Sequence, residues 1–177
     1  AAYAQHDYAD VVRLMPFQGA RTIVDVAGGT GVLARMLSER FPAADIVVLE
    51  RPEVCQYAVD AGEPRRVRFV SGDLFTPWPI RADGFVMSRV LHDWNDDDAE
   101  RILRHARAAL AIGSAGVIVE MLLDDATPFG RVCDLHLLVV TGGKERTAER
   151  MERLVRKAGF RLVRVEPTTS IVSAIVV

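Results

Sequence analysis

The chain has 177 residues, half of them hydrophobic and 26% charged, with a formal net charge of −2. This composition suits one globular domain with a sizeable core. It excludes the basic excess of a nucleic-acid surface, and two cysteines in separate segments, Cys55 and Cys133, exclude a disulfide framework and a zinc spacing. Apolar runs are well short of a membrane span and no signal-peptide pattern is present, so the reading is a soluble cytoplasmic protein with no nucleic-acid or membrane partner.

Residues 2–15 carry Tyr8, Val11, Val12 and Met15 at helical spacing, and Pro16 ends the run. "TIVDVA" is a short strand that runs into a glycine loop. Residues 30–41 return to the helical period. "DIVVLE" is a second strand closed by Glu50-Arg51-Pro52, and a helix over about 53–60 follows. "VRFVSGDLF" and "DGFVMSRVL" predict the third and fourth strands, and "DDDAERILRHARAAL" a helix with Asp96 to Asp98 near its positive N-terminus. "AGVIVEMLL" is a fifth strand. A helix near 131–140, a loop "TGGKERT" and a helix over 148–158 stopped by Gly159 come next. "FRLVRVEP" and "SIVSAIVV" are joined too closely for a helical crossover, so they should pair antiparallel. The chain opens in a helical pattern and stops inside an apolar run, which reads as a piece of a longer protein.

Alternating strands and helices with continuous apolar strands imply an α/β fold, a mostly parallel sheet covered on both faces. Ligands then sit at the carboxyl ends of the strands, where Glu50, Asp73 and His92 all fall. The loop itself admits two cofactors. Gly29-Thr30-Gly31-Val32-Leu33-Ala34 fits the dinucleotide fingerprint, whereas Asp25-Val26-Ala27-Gly28-Gly29-Thr30-Gly31 resembles the first motif of an S-adenosylmethionine (SAM) methyltransferase. Glu50, about twenty residues on, suits a ribose in either case. Asp25 and Asp73 are carboxylates that a pyrophosphate dianion would not favour, while the sulfonium and ammonium groups of SAM tolerate an acidic rim. If Asp25 and Asp73 merely cap turns, that argument lapses.

From "RVLHDWNDDDAERIL" to "GGKERT" the resemblance becomes specific. With "VDVAGGTG", "VSGDLF", "VIVE" and "KAGF" in order, the chain resembles the catalytic domain of small-molecule O-methyltransferases, of the plant caffeic-acid and hydroxyindole types and of bacterial antibiotic biosynthesis. Ser88-Arg89 stands where the plant type has Lys-Trp, which favours the bacterial branch. The resemblance implies a Rossmann-like seven-stranded sheet with helices on both faces and an antiparallel C-terminal strand pair. It implies SAM as cofactor, with S-adenosylhomocysteine as product, bound by Asp25, Ala27 (through its backbone), Gly28, Gly29 and Gly31, by Glu50 and Arg51, by Asp73 and Leu74, and by Ser88, Arg89 and Trp94. His92 would be the catalytic base, bracketed by Glu120 and Glu145. His136 would face an aromatic or polyketide acceptor. Residues 1–17 would be the remnant of a linker to a dimerisation domain, residues 18–177 the SAM-binding domain, and the intact protein a homodimer. Ala27 departs from the family's usual first glycine.

An imidazole with a pKa near 6.5 suits removal of a phenolic proton, and a carboxylate beside it fixes its tautomer. No metal is required and no ligand cluster is visible in the sequence. Relatives that keep SAM but hydroxylate or decarboxylate, and an NAD-binding oxidoreductase, are the competing readings. His6 and His105 read as structural, Cys133 as packed, and the Asp96–Asp98 run as a solvated helix start.

Overall fold

The computed structural model describes residues 2–60, 66–124 and 128–177. The chain begins with helix α1 (Ala2–Leu14), followed by β1 (Thr22–Val26), α2 (Val32–Arg40), β2 (Asp45–Glu50), α3 (Pro52–Asp60), β3 (Val67–Ser71) and β4 (Ala82–Ser88). A 3-10 turn (Leu91–Asp93) leads to α4 (Asp96–Ala109) and β5 (Leu110–Glu120). Then come β6 (Leu122–Leu123), α5 (Pro128–Val140), β7 (Arg146–Thr147), α6 (Ala148–Lys157), β8 (Arg164–Pro167) and β9 (Ser173–Val176).

Seven strands form one sheet in the order β3-β2-β1-β4-β5-β9-β8, and β9 alone runs antiparallel to its neighbours. The central apolar runs are buried strands, as expected: Ile23, Val24, Val26 and the whole of Ile46–Leu49 have almost no exposure, whereas the edge strands β3 and β8 are only partly buried. Alternate side chains divide between two cores. Val24, Val47, Phe85 and Met87 pack with Ile102, Leu103 and Ala106 of α4 and Met151, Leu154 and Val155 of α6. On the opposite face Ile23, Ile46, Val48 and Val86 pack with Val11 and Met15 of α1 and Leu33 and Leu37 of α2. At roughly 25 cal/mol per Å² of apolar surface, these two layers dominate stability and fix the strand ends that carry the polar residues.

Several boundaries differ from the sequence reading, among them three near the carboxyl edge of the sheet. The fourth strand stops at Ser88 because Arg89 takes φ 58, a left-handed conformation that ends strand geometry. The third stops at Ser71, before Gly72. The "MLL" end of the fifth strand leaves the main sheet: Leu122–Leu123 pairs in parallel with Arg146–Thr147 in a separate two-stranded ladder, inside the stretch expected to be a loop.

Candidate active site

β1 has β2 on one side and β4 on the other, so the strand order reverses there and opens a crevice at the carboxyl edge. The glycine loop enters it through Ala27, whose φ of 53 explains why a glycine is usual at that position. A residue with a Cβ pays about 1–2 kcal/mol for this conformation. A Cβ on Gly28 would lie 2.5 Å from the Asp25 carboxyl, so only glycine passes over that acid. Gly29 and Gly31 also hold left-handed angles as the loop turns into α2.

Asp25 lies buried beneath the loop. Burial raises its pKa, the Ala34 backbone N–H opposes this and the Glu50 charge adds to it, leaving the group at about 7. Glu50 Oε2 accepts the Gly29 N–H at 3.1 Å and Oε1 accepts the Arg51 N–H at 2.8 Å. The loop amide that a dinucleotide phosphate would seek is therefore already given to a carboxylate.

A cleft of about 820 Å³ opens beside these groups, lined by Ala27, Glu50, Arg51, Asp73, Leu74, Arg89 and Trp94 among others. Asp73 does cap a turn, its Oδ1 accepting the Phe75 N–H at 2.9 Å, and it lines the cleft as well. Trp94 meets Phe75 edge-on, ring centroids 4.7 Å apart. Phe75 and Asp93 also line the cleft, and the sequence reading passed over both. Ser88, at the end of β4, carries a buried Oγ with no protein partner, an orphan hydroxyl at the strand end where the cofactor is expected.

The turn after Arg89 carries His92. Glu120, at the end of β5, reaches across with Oε1 accepting from the backbone N–H groups of Val90, Leu91 and His92 at 3.1, 2.8 and 3.3 Å. Its Oε2 lies 3.3 Å from His92 Nδ1, and Glu145 Oε1 lies 3.6 Å from the same nitrogen. All three side chains are buried. Burial alone lowers the imidazole pKa, but the Glu145 interaction and the charges of Glu120, Glu145 and Asp93 outweigh it, so His92 is held above 6.5. Burial likewise dominates at Glu120 and pushes it up to about 7, with His92 and the backbone donors opposing and Glu145 adding. Two carboxylates stand at Nδ1, and Asp93 Oδ1 lies 3.7 Å from Nε2; a neutral ring with its proton on Nδ1 would present Nε2 as the basic lone pair.

Glu145 is itself anchored, its N–H donating to Asp134 Oδ1 of α5 at 2.8 Å. Its neighbours bind the same turn: the Lys144 N–H donates to His92 O at 2.8 Å, and a Cβ on Gly143 would lie 1.9 Å from that oxygen. Arg146 is 2% exposed and donates to Leu91 O, Trp94 O and Asp96 Oδ1. Asp96, expected as part of a solvated helix start, is a partner of Arg146 and Lys144. Nothing in the sequence flagged Arg146, because "GGKERT" reads as a charged surface run.

His92, Glu120 and Glu145 thus come together as the resemblance implied, beside a cleft lined by Ala27, Glu50, Arg51, Asp73, Leu74, Arg89 and Trp94 but not by Asp25, Gly28, Gly29, Gly31 or Ser88. They also correct the absence of a ligand cluster in the sequence: each offers a donor atom within 4.8 Å of the others, a grouping able to hold a divalent ion. His136 stands exposed on α5 and is not a member of that grouping. Beside it Phe129, Val132, Leu135, Leu138, Val139 and Val140 expose more than half of their surface.

A family model for the O-methyltransferase domain matches residues 4–161. A phenazine O-methyltransferase of Lysobacter antibioticus is 35% identical over 176 residues, which span 96% of this chain and 52% of that protein. The structure of mitomycin 7-O-methyltransferase superposes with a TM-score of 0.90 at 32% identity, covering 99% of this chain and 53% of that one. Human N-acetylserotonin methyltransferase, solved with SAM, gives 0.89 at 30% identity over 96% and 50%. The chain spans about half the length of the curated relatives it matches. Among the described residues no helix is long and apolar enough to cross a membrane.

Proposed function

The chain belongs to the O-methyltransferase domain family, and from that premise we propose that it transfers a methyl group from SAM to a hydroxyl of an aromatic small molecule. The observation that carries this reading is the His92 imidazole, wedged against two buried carboxylates at Nδ1 and sharing a six-residue turn with the lip of an acid-lined cleft. Glu50 and Asp73 bind the ribose and adenine ends of the cofactor. Ser88 Oγ, which has no protein partner, takes a polar group at its methionine end. Bound there, SAM supplies an electrophilic methyl on a sulfonium.

The residues of the chain do the rest. Alignment of the acceptor oxygen supplies much of the acceleration. His92 Nε2 takes the proton from the acceptor hydroxyl as the oxygen bonds to the methyl carbon and the carbon–sulfur bond breaks. Glu120 and Glu145 stabilise the imidazolium that forms. No step in this scheme calls on a metal. S-adenosylhomocysteine leaves with the methylated product. The phenazine and N-acetylserotonin relatives are named for aromatic compounds, which supports an aromatic acceptor.

The intact protein is a homodimer through a further region of the full-length chain. The half-length coverage of the relatives leaves room for such a region, and sedimentation of the full reading frame as a monomer would remove the proposal.

The test of the chemistry uses the full reading frame with methyl-labelled SAM and a panel of hydroxyphenazines, hydroxyindoles and hydroxynaphthoates. The expected products are a methyl ether and S-adenosylhomocysteine, without oxygen uptake. His92→Gln should slow the reaction about 10²–10⁴-fold and leave SAM affinity unchanged. Because the base must be neutral, the wild-type rate should rise with pH through a value above 6.5, and the variant should lack that limb. Wild-type rates in His92→Gln would refute the assignment of the base. Oxygen consumption or loss of carbon dioxide would refute methyl transfer.

A further inference from the structure

Arg146 is an arginine buried to 2% exposure, immediately after Glu145 in the short strand β7. Glu145, just before the strand, meets the imidazole, and Arg146, its first residue, meets the backbone that carries it. Its Nη1 donates to Leu91 O at 2.8 Å and its Nη2 to Trp94 O at 2.9 Å. These two carbonyls flank His92 and Asp93. The third donor, Nε, reaches Asp96 Oδ1 at 2.9 Å. The planar guanidinium therefore bridges the two ends of the His92 turn and the first residue of α4 at once, a geometry that a lysine ammonium on its flexible stem does not reproduce. Glu120 accepts the N–H groups of the same turn while Arg146 donates to its carbonyls. The turn is thus held on its donor side by one strand end and on its acceptor side by another.

A buried guanidinium carries a desolvation cost that a core side chain would avoid, and the acceptors it finds are those that set the orientation of His92. We infer that Arg146 is a positioning residue for methyl transfer, holding the His92 imidazole at the acceptor oxygen while making no contact with the reacting atoms. The inference rests on His92 acting as the base.

The experiment measures kcat and KM of the full-length protein, wild type and Arg146→Lys, Arg146→Gln, Asp96→Asn and His92→Gln. Two acceptors are used: the hydroxyarene from the panel that is turned over best, and a nitro-substituted analogue with a more acidic hydroxyl. Rates are normalised to folded protein by active-site titration with labelled SAM. For the less acidic acceptor, Arg146→Gln should lower kcat about 10²-fold, as expected for a base displaced by about 1 Å. Arg146→Lys should fall between it and wild type, and KM for SAM should hold steady. With the acidic acceptor, which needs less proton removal, the deficit should shrink in every variant. Should Arg146→Gln fail to fold, Asp96→Asn leaves Arg146 in place without its charged partner, and it should show a smaller deficit with the same acceptor dependence. A deficit equal for both acceptors in the Arg146 and Asp96 variants, with His92→Gln retaining its acceptor dependence, overturns the inference and leaves Arg146 a structural residue. If His92→Gln also lacks that dependence, the assignment of the base fails, and the inference with it.

Discussion

Replacing Gly143 by alanine tests how tightly the geometry of the His92 turn is set. Its backbone angle is not in the left-handed region, so alanine is conformationally allowed there, and the perturbation is purely one of space. The added Cβ would sit 1.9 Å from His92 O, 2.6 Å from the Asp93 carbonyl carbon and 2.8 Å from Asp93 Cα. All three are backbone atoms, so no side chain can swing aside. Restoring ordinary contact at 3.4 Å requires the two segments to part by about 1.5 Å (3.4 − 1.9), which also stretches the 2.8 Å bond from the Lys144 N–H to His92 O. A misplacement of about 1 Å at a catalytic group costs roughly 10²-fold, so kcat should fall by at least that factor. SAM affinity should fall much less, because Glu50 and Asp73 lie on other strand ends. Gly142→Ala is the control: its φ of 76 strains an alanine by about 1–2 kcal/mol, but nothing stands within 4 Å of the new Cβ. It should lower the melting temperature and spare kcat. The assay is methyl transfer from labelled SAM by the full reading frame, with unfolding followed by calorimetry. A Gly143→Ala enzyme with wild-type kcat would refute the claim that the 143–146 segment sets the position of His92.

Two further outcomes concern stability. Asp25 has an ordinary pKa of 3.8 in the unfolded chain and about 7 in the folded one, so the folded state holds its proton more tightly; this contribution is complete below pH 3.8 and is lost as pH rises through 7. Over about three pKa units the loss approaches 4 kcal/mol as an upper bound. Urea unfolding should therefore find Asp25→Asn more stable than wild type at pH 8 and similar near pH 4; a difference independent of pH would contradict the burial argument. Ala27→Gly should relieve about 1–2 kcal/mol of left-handed strain at a cost of about 0.5–1 kcal/mol in chain entropy, for a melting temperature equal or slightly higher. A clear drop would mean that Ala27 is not strained.

Much of this site was legible because apolar runs end where chemistry begins. "DIVVLE" and "VIVE" each bury their hydrophobic residues and terminate on an acid, so the strand pattern itself delivered Glu50 and Glu120 to one edge of the sheet. What escaped depends on contacts far apart in sequence. No glycine marks Arg89, so its left-handed angle and the early end of β4 leave no local signal. β6 and β7 are two residues each, too short for any periodicity to register. Arg146 sits between residues typical of a solvated loop, and only its three acceptors, fifty or more positions away, make its burial tolerable. Asp73 belongs to both readings offered for it, since its Oδ1 caps a turn and the residue also lines the cleft.

β9 lies between β5 and β8, and its Ser173 pairs with Glu120. During synthesis, therefore, β5 emerges with a neighbour on one side only, and the strand that closes its other edge follows 53 residues later (173 − 120). At roughly 5–20 residues per second the ribosome needs several seconds to deliver it. If β5 has docked on β4 in that interval, Val117–Glu120 would offer an open sheet edge of the kind that recruits other strands. The nascent protein is thus most exposed to mispairing at the strand that carries Glu120, and Glu120 gains its second backbone neighbour only when β9 docks.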